Sequence, residues 1–376
     1  MQPLAGIRVV DFSTLLPGPL ASLILAEAGA EVVKVERPGD GDELRGYEPQ
    51  FGAVSAGFAL LNRGKRSIAL DLKANGARER LLPLLRAADV LIEQFRPGVM
   101  DRLGLGFAAL ATLNPRLIYC SITGYGQSGS KVQMAGHDLN YLAETGLLRL
   151  AAGPDGAPVV PPTLIADIAG GSYPAVLNIL LALRARDASG RGCHLDIAMT
   201  DHLFALMWWA LGQGFAAGRW PRPGAELLTG GSPRFQIYPT SDGRFLAAAP
   251  LEERFWERFA ELIGLEAPHR DDRRDPVASK ARIAEIIRGH DAAHWQARFA
   301  GADVCCTAVA SLEEAVRDPH FVGRGLFAHV LSDGAGGSMP ALPVPLAPLF
   351  RAAAEKTCPA LGEGNDLLDS WRRGPS

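Results

Sequence analysis

The chain has 376 residues, 48% of them hydrophobic, a formal net charge of −3 and five cysteines. A length in this range fits two domains, and the small negative charge provides no broad cationic surface, so we expect no nucleic acid partner. The cysteines have neither CxxC nor zinc-ligand spacing, so we expect reduced thiols in a cytoplasmic protein without a metal site.

Short apolar strands alternate with helices along the first third of the chain. The predicted strands lie at 7–11, 31–36, 67–71, 90–93 and 117–122, and the predicted helices at 17–28 and 76–87. This alternation predicts an α/β fold with a parallel sheet, covered on both faces, in a large Rossmann-like domain. The first crossover, at 13–20, lacks GxGxxG, which argues against a nicotinamide cofactor.

The second half of the chain predicts a smaller α+β domain. Two apolar runs at 235–239 and 245–249 flank Asp242-Gly243, which is a typical hairpin turn. Helical patterns follow at 253–263, 280–289 and 292–299. We therefore expect four segments: the N-terminal part of the large domain at 1–213, a linker at 214–232, the small domain at 233–318 and a segment at 319–376 that returns to the large domain.

The most apolar stretch lies at 172–183 and is shorter than the ~20 residues that a helix needs to cross a bilayer. The N-terminus shows neither the basic nor the apolar part of a secretion signal. We therefore expect neither membrane insertion nor secretion.

His137 directly precedes a predicted helix at 138–145, which Gly146 ends. The helix dipole disfavours an imidazolium at this end, so a neutral His137 ring would be able to accept a proton. On position alone, a plain cap or polar contact is the commoner role for such a histidine.

Asp167 directly precedes the long apolar helix. A carboxylate is favoured there and can act as a base or a nucleophile, although a simple N-cap is the commoner role. Gly170 and Gly171 favour a functional role, because glycine lets a ligand approach the backbone closely. The N–H groups at 167–170 are candidate donors to an oxygen that becomes anionic during a reaction.

Three basic segments lie beside the ends of predicted strands, at 34–38, 62–66 and 95–102. Ligands bind at that edge of a doubly wound sheet, so long cationic side chains there could hold a polyphosphate. For any one of these side chains, scattered surface charge is the alternative. The candidates are Arg37, Arg63, Lys65, Arg96 and Arg102.

The combined pattern resembles the family III CoA-transferase superfamily and, within it, the α-methylacyl-CoA racemases. The segments that carry the resemblance are 4–11, 35–38, 62–67, 96–99, 124–127, 136–138, 166–167 and 230–233. The resemblance implies an enzyme with an acyl-CoA substrate and no cofactor beyond the CoA moiety of that substrate, held by the five cationic candidates. It also implies an interlocked homodimer, with the small domain inserted between two parts of the large one.

The resemblance implies roles for three residues. Family transferases have an aspartate at the position of Asp167, which attacks the acyl-CoA and then forms an aspartyl-CoA thioester. Racemases add a histidine at the position of His137 and a glutamate at the position of Glu252, and the two are expected to meet across the dimer interface. Without the resemblance, Glu252 would only complement the dipole of the helix that follows it.

The two residues that distinguish the racemases, His137 and Glu252, are both present in this sequence. This favours a racemase that inverts the α-carbon of 2-methylacyl-CoA thioesters by two-base proton transfer through an enolate, with His137 and Asp167 as the two bases. The first alternative is a CoA-transferase that moves CoA between carboxylic acids with Asp167 as nucleophile. The second is a CoA-thioester-binding protein that has lost catalysis.

Overall fold

Six parallel strands form the central sheet. In chain order they are β1 (Arg8–Asp11), β2 (Glu31–Glu36), β3 (Arg66–Ala69), β4 (Val90–Glu93), β5 (Ile118–Thr123) and β6 (His194–Ala198). The strands lie side by side in the order β3-β2-β1-β4-β5-β6. The winding direction therefore reverses between β1 and β4, and in such sheets ligands bind at the carboxyl ends of the strands beside the reversal. The predicted α/β fold with a parallel sheet is confirmed.

The structure is a computed structural model that describes residues 1–153, 156–351 and 355–371. The chain divides into two units: the first comprises Met1–Thr145, Pro161–Leu206 and Pro319–Ser376, and the second comprises Gly146–Val160 and Met207–Asp318. The segment 214–232, expected as a linker, falls inside the second unit. The segment 319–376 falls in the first unit, although 352–354 and 372–376 lie outside the described residues.

Four helices of the first unit position the candidate site. They are α1 (Pro17–Glu27), α2 (Asp138–Glu144), α3 (Ala166–Ser189) and α4 (Met199–Leu206). Shorter helices complete the unit at Ala56–Asn62, Ala77–Ala87, Val99–Arg102, Phe107–Leu113, Pro319–Gly323 and Leu367–Ser370. The helix α1 is buried along its whole length, because it packs against a sheet whose central strands are apolar on both faces.

The helix α3 is longer than the apolar stretch at 172–183 suggested. It runs for 24 residues, and its first turns, Ala166–Ser172, are π-helical. By length and composition alone it could cross a membrane, but 44% of its most apolar window is buried inside the protein. Core helices of soluble proteins often have the same length and composition, so α3 alone gives no reason to assign a membrane.

The second unit is built around an antiparallel sheet of three strands. These are β7 (Gln236–Pro239), β8 (Phe245–Ala248) and β9 (Cys306–Ala308), in the order β9-β8-β7. Its main helices are Trp208–Ala217, Glu253–Ile263, Pro276–Arg288 and Ala292–Phe299. Trp256, Phe259 and Trp295 form the centre of its apolar core. The predicted hairpin and the predicted α+β character of this region are confirmed.

The small unit and the C-terminal segment each differ from the sequence prediction. The third helix of the small unit begins at Pro276 rather than at 280, because Asp275 caps it by accepting the N–H of Ala278 at 2.9 Å. A further sheet of three short strands was not predicted. Its strands are Val330–Ser332, Ser338–Pro340 and Glu355–Thr357.

Candidate active site

Two cavities lie at the carboxyl edge of the central sheet, beside β1 and β4. One, about 450 Å³ in volume, is lined by both His137 and Asp167, and we call it the His–Asp cavity. The other, about 720 Å³, is lined by Arg37, Lys73 and Arg102 and also by four acidic residues, and we call it the basic cavity after its three cations. Phe95, just after β4, lines both. The cavities are therefore neighbours at the point where the strand order predicts a ligand.

His137 is held at the N-terminal end of α2. Its backbone is extended, with φ −125°, and its N–H donates to the Asn140 side chain at 3.0 Å. The helix ends at Glu144 and is followed by Gly146 in a left-handed conformation, φ +84°. The predicted helix is therefore confirmed. The His137 side chain is exposed and faces the His–Asp cavity, so it can exchange protons with a ligand or with water.

Asp167 lies in the π-helical first turns of α3 and is partly buried. Burial and, to a smaller extent, the nearby negative charge of Asp138 together raise the pKa of its carboxyl group from 3.8 to about 7. At neutral pH the group is therefore divided between its acid and its carboxylate. That division is what acid–base catalysis in both directions requires.

Asp138 is a residue that the sequence analysis missed. Its side chain is buried, and its carboxylate accepts the backbone N–H of Asp167 at 3.0 Å and those of Ala166 and Ile165. Because Asp138 directly follows His137, this one side chain ties the two candidate bases together. The only sequence signal was that adjacency, since a carboxylate in the first turn of a helix is ordinarily explained by the helix dipole.

At the start of α3, two of the expected donors at 167–170 are ruled out, and Gly170 has a packing role. The N–H groups of Asp167 and Ile168 cannot serve a reacting oxygen, because they already donate to Asp138 and to the Leu164 carbonyl. Gly170 is required by packing rather than by a ligand. A Cβ atom there would lie 2.5 Å from the Met199 carbonyl oxygen of α4.

The loops after β1 and β4 hold each other in place. The Gln94 amide accepts the Gly18 N–H at 3.1 Å and donates to the Thr14 carbonyl at 2.7 Å. Leu15 is left-handed, φ +60°, and its N–H donates to the Asp42 carboxylate at 3.2 Å. Such backbone is costly for leucine and tends to occur at functional sites. Both loops line the His–Asp cavity, so its wall is fixed before a ligand arrives.

The five predicted phosphate ligands do not all lie together. Arg37 and Arg102 line the basic cavity with Lys73, which the sequence analysis missed, and Arg96 lines the His–Asp cavity. The signal for Lys73 was its position shortly after β3, at the same sheet edge. Arg63 lines neither cavity.

Arg63 and Lys65 point into the protein. Arg63 is 3% exposed and forms an ion pair with Glu27 at 2.9 Å. Lys65 is 4% exposed, donates to the Pro19 carbonyl at 2.9 Å and lies 3.4 Å from Asp11. Burial lowers the pKa of Lys65 to about 7, against the opposing effect of Asp11. Their contact with a phosphate stays a prediction, and it would require these buried pairs to open.

Glu252 belongs to the second unit. It is exposed and precedes the helix Glu253–Ile263 as its N-cap. Its predicted interaction with His137 stays a prediction. Within the described part of the chain, no group of three or more His, Cys, Asp or Glu side chains is arranged to hold a metal ion.

Comparison with known proteins identifies the class. The family model described as "CoA-transferase family III" matches residues 4–365. Human alpha-methylacyl-CoA racemase is 38% identical over 330 residues, covering 86% of this chain and 82% of its own. Acetyl-CoA:oxalate CoA-transferase of Acetobacter aceti is 35% identical, covering 91% and 88%. A CAIB/BAIF family protein from Brucella suis superposes with a TM-score of 0.84 at 28% identity, covering 98% and 99%.

The strand order and the two cavities define an α/β protein of the doubly wound class, with its cavities at the reversal of a parallel sheet. The chain belongs to CoA-transferase family III. This family includes relatives with two kinds of name, racemase and transferase, at nearly equal identity. The family therefore establishes an enzyme of this superfamily, and the reaction has to be argued from the site.

Proposed function

We propose that the protein racemises the α-carbon of 2-methylacyl-CoA thioesters. The observation that carries the proposal is that an imidazole and a carboxylate with a pKa of about 7, His137 and Asp167, line one cavity. Inversion needs one group to remove a proton from one face of the carbon and another to return a proton to the opposite face. The relatives named as racemases support the same activity.

The basic cavity is proposed to hold the nucleotide end of coenzyme A. Arg37, Lys73 and Arg102 line one space, and such long cationic side chains suit the phosphates of the nucleotide. Of the four acidic residues in the same lining, Glu36 and Asp42 are already ion-paired with Arg45 and Lys34. Phe95 forms a wall common to both cavities, so a pantetheine arm that passes it would bring the thioester to His137 and Asp167. Arg96 would then lie near the thioester rather than the nucleotide.

The proposed chemical step moves two protons, one off the α-carbon and one onto it. In one direction the Asp167 carboxylate removes the α-proton, and the C–H electron pair becomes part of an enolate with negative charge on the thioester oxygen. An imidazolium at His137 then gives a proton to the opposite face. In the other direction the roles exchange, so each group ends a turnover in the state that starts the reverse reaction.

The remaining parts of the proposal concern the partner subunit. We propose an interlocked homodimer in which Glu252 of one chain contacts His137 of the other. The outer face of α3 offers an apolar stripe to such a partner, since Leu177 and Leu181 are 58% and 59% exposed. Light scattering should give twice the mass of the chain, and a monomer would rule this arrangement out.

The test is proton exchange in deuterated water with a single enantiomer of a 2-methylacyl-CoA and no second acid. A racemase incorporates deuterium at the α-carbon and produces the other enantiomer. Asp167→Asn should lose exchange from one enantiomer while His137 still exchanges the other, and His137→Gln should show the opposite preference. Loss of exchange from both enantiomers in either variant would refute two independent bases.

The alternative is a CoA-transferase with Asp167 as nucleophile. Two relatives named as CoA-transferases, at 35% identity, favour it. It predicts no α-exchange without a second acid, strict dependence on that acid, and an acyl-enzyme that hydroxylamine traps at Asp167. A protein that only binds CoA thioesters would show neither reaction, and its binding would be unchanged in Asp167→Asn and His137→Ala.

A further inference from the structure

A third cavity is lined by Arg96 and by titratable groups that the proposed reaction does not use. Its volume is about 170 Å³, and its lining includes Glu93, Ser121 and His194. Arg96 also lines the His–Asp cavity, so it belongs to the walls of both spaces. A change in this third cavity can therefore reach the candidate active site through a single residue.

Hydrogen bonds connect these groups in a chain. The N–H of Phe95 donates to the Glu93 carboxylate at 2.8 Å. Ser121 hydrogen-bonds the same carboxyl group, and its hydroxyl lies 2.9 Å from Nε2 of His194. A serine hydroxyl can donate to one partner and accept from the other, in either direction. A proton can therefore pass between the buried Glu93 and the exposed His194 through one hydroxyl group.

We infer that Glu93 is a positioning residue for the coenzyme A site, and that the chain Glu93–Ser121–His194 makes the position of Phe95 and Arg96 depend on the pH of the solvent. This inference rests on the proposed binding of coenzyme A beside Phe95. It does not depend on whether the reaction is racemisation or transfer. Glu93 touches no reacting atom, and it acts through the loop that it holds.

The charges around the chain set its working range. Burial raises the pKa of Glu93 to about 7, while its hydrogen bonds to Ser121 and Phe95 lower it. Burial lowers the pKa of His194. Other titratable or charged groups also face this chain of hydrogen bonds. They come from the helix Val99–Arg102, from β5, from β6 and from the loop after β4, and they are Asp101, Tyr119, Cys120, Asp196 and Arg96.

The direction of the effect follows from hydrogen-bond strength. A carboxylate binds an N–H group more strongly than a protonated carboxyl group does. Above pH 7 Glu93 is mainly ionised and holds the Phe95 N–H firmly. Below pH 7 Glu93 is mainly protonated and holds the Phe95 N–H less firmly. Affinity for coenzyme A should therefore fall by a factor of roughly five between pH 8 and pH 6, the difference between a charged and a neutral hydrogen bond.

The first experiment uses the free full-length chain labelled with ¹⁵N-phenylalanine. The amide resonance of Phe95 should titrate with a midpoint near pH 7 in the wild type and should not titrate in Glu93→Gln, which keeps an acceptor but cannot ionise. Ser121→Ala removes a hydrogen bond that lowers the pKa of Glu93, so its midpoint should move to higher pH. A Phe95 titration that persists in Glu93→Gln would overturn the inference.

The second experiment measures coenzyme A binding by calorimetry between pH 6 and pH 8. The fivefold loss should disappear in Glu93→Gln and remain in Glu79→Gln, the same change at an exposed glutamate of the same unit. An unchanged pH dependence in Glu93→Gln would contradict the inference. If coenzyme A does not bind at all, the proposed function fails, and the Phe95 resonance still decides whether the relay exists. If Glu93→Gln does not fold, Ser121→Ala provides the same decision through its midpoint.

Discussion

Replacing Asp167 by asparagine should stabilise the protein at pH 8 and have little effect near pH 4. In the folded chain the pKa of Asp167 is about 7, against 3.8 for an ordinary aspartate. A tenfold change in proton affinity corresponds to about 1.4 kcal/mol, so this rise represents roughly 4 kcal/mol against the folded carboxylate. Between pH 4 and pH 7 the unfolded chain is ionised while the folded chain keeps the proton, so wild-type stability falls as the pH rises.

Asparagine has nearly the same shape and carries no charge, so it avoids this cost. Because Asp167 is partly exposed, about 2–4 kcal/mol is the expected gain in the free energy of unfolding at pH 8. Urea unfolding at pH 5, 6, 7 and 8 would measure it, with Asp369→Asn as the matched change at an exposed carboxylate. An asparagine variant that is no more stable than wild type at pH 8, or equally stabilised at pH 5, would refute the reasoning. The expected cost is activity, which places stability and function in opposition at this residue.

Three further predictions follow from the same contacts. Asp138→Asn removes the negative charge that helps to raise the pKa of Asp167, so the pH–rate profile in the direction that uses Asp167 as base should move to lower pH. Gly170→Ala forces a Cβ atom to within 2.5 Å of the Met199 carbonyl, and thermal denaturation should show a loss of about 1–3 kcal/mol. Arg102→Ala should weaken binding of coenzyme A by roughly tenfold to a hundredfold in calorimetry but leave binding of a pantetheine thioester, which lacks the nucleotide, unchanged.

The central strands could be predicted closely because they are mostly buried on both faces and are therefore mainly apolar, with buried polar residues such as Lys34 as exceptions. The predictions at 31–36 and 90–93 are confirmed without change, and the others differ by at most two residues at either end. The strand β6 could not be found in the same way. It lies at the sheet edge, and its residues His194 and Asp196 are exposed, which breaks the apolar run. The sheet order was equally hidden, because pairing is decided by crossovers and not by local pattern.

The site residues that could be predicted are those whose placement follows from their position along the chain. His137 and Asp167 each stand at the start of a helix, and helix starts are readable from sequence. The direction of a long side chain is not readable. Arg37 and Lys65 both lie near strand ends, yet one lines a cavity and the other enters a buried ion pair. Only the packing around each strand separates these two outcomes.

The part played by Asp138 bears on the choice between the two reactions. A nucleophile needs one well-placed carboxylate, whereas two-base inversion needs a fixed separation between two groups. Asp138 follows His137 by one peptide bond and holds the N–H of Asp167 at 3.0 Å, so the backbone positions of the two groups are set by one buried side chain. The same carboxylate adds to the rise in the pKa of Asp167, so a larger fraction of the group is protonated at neutral pH and can return a proton. Both effects assist proton transfer in two directions, whereas nucleophilic attack needs the ionised form, whose share at neutral pH the raised pKa reduces.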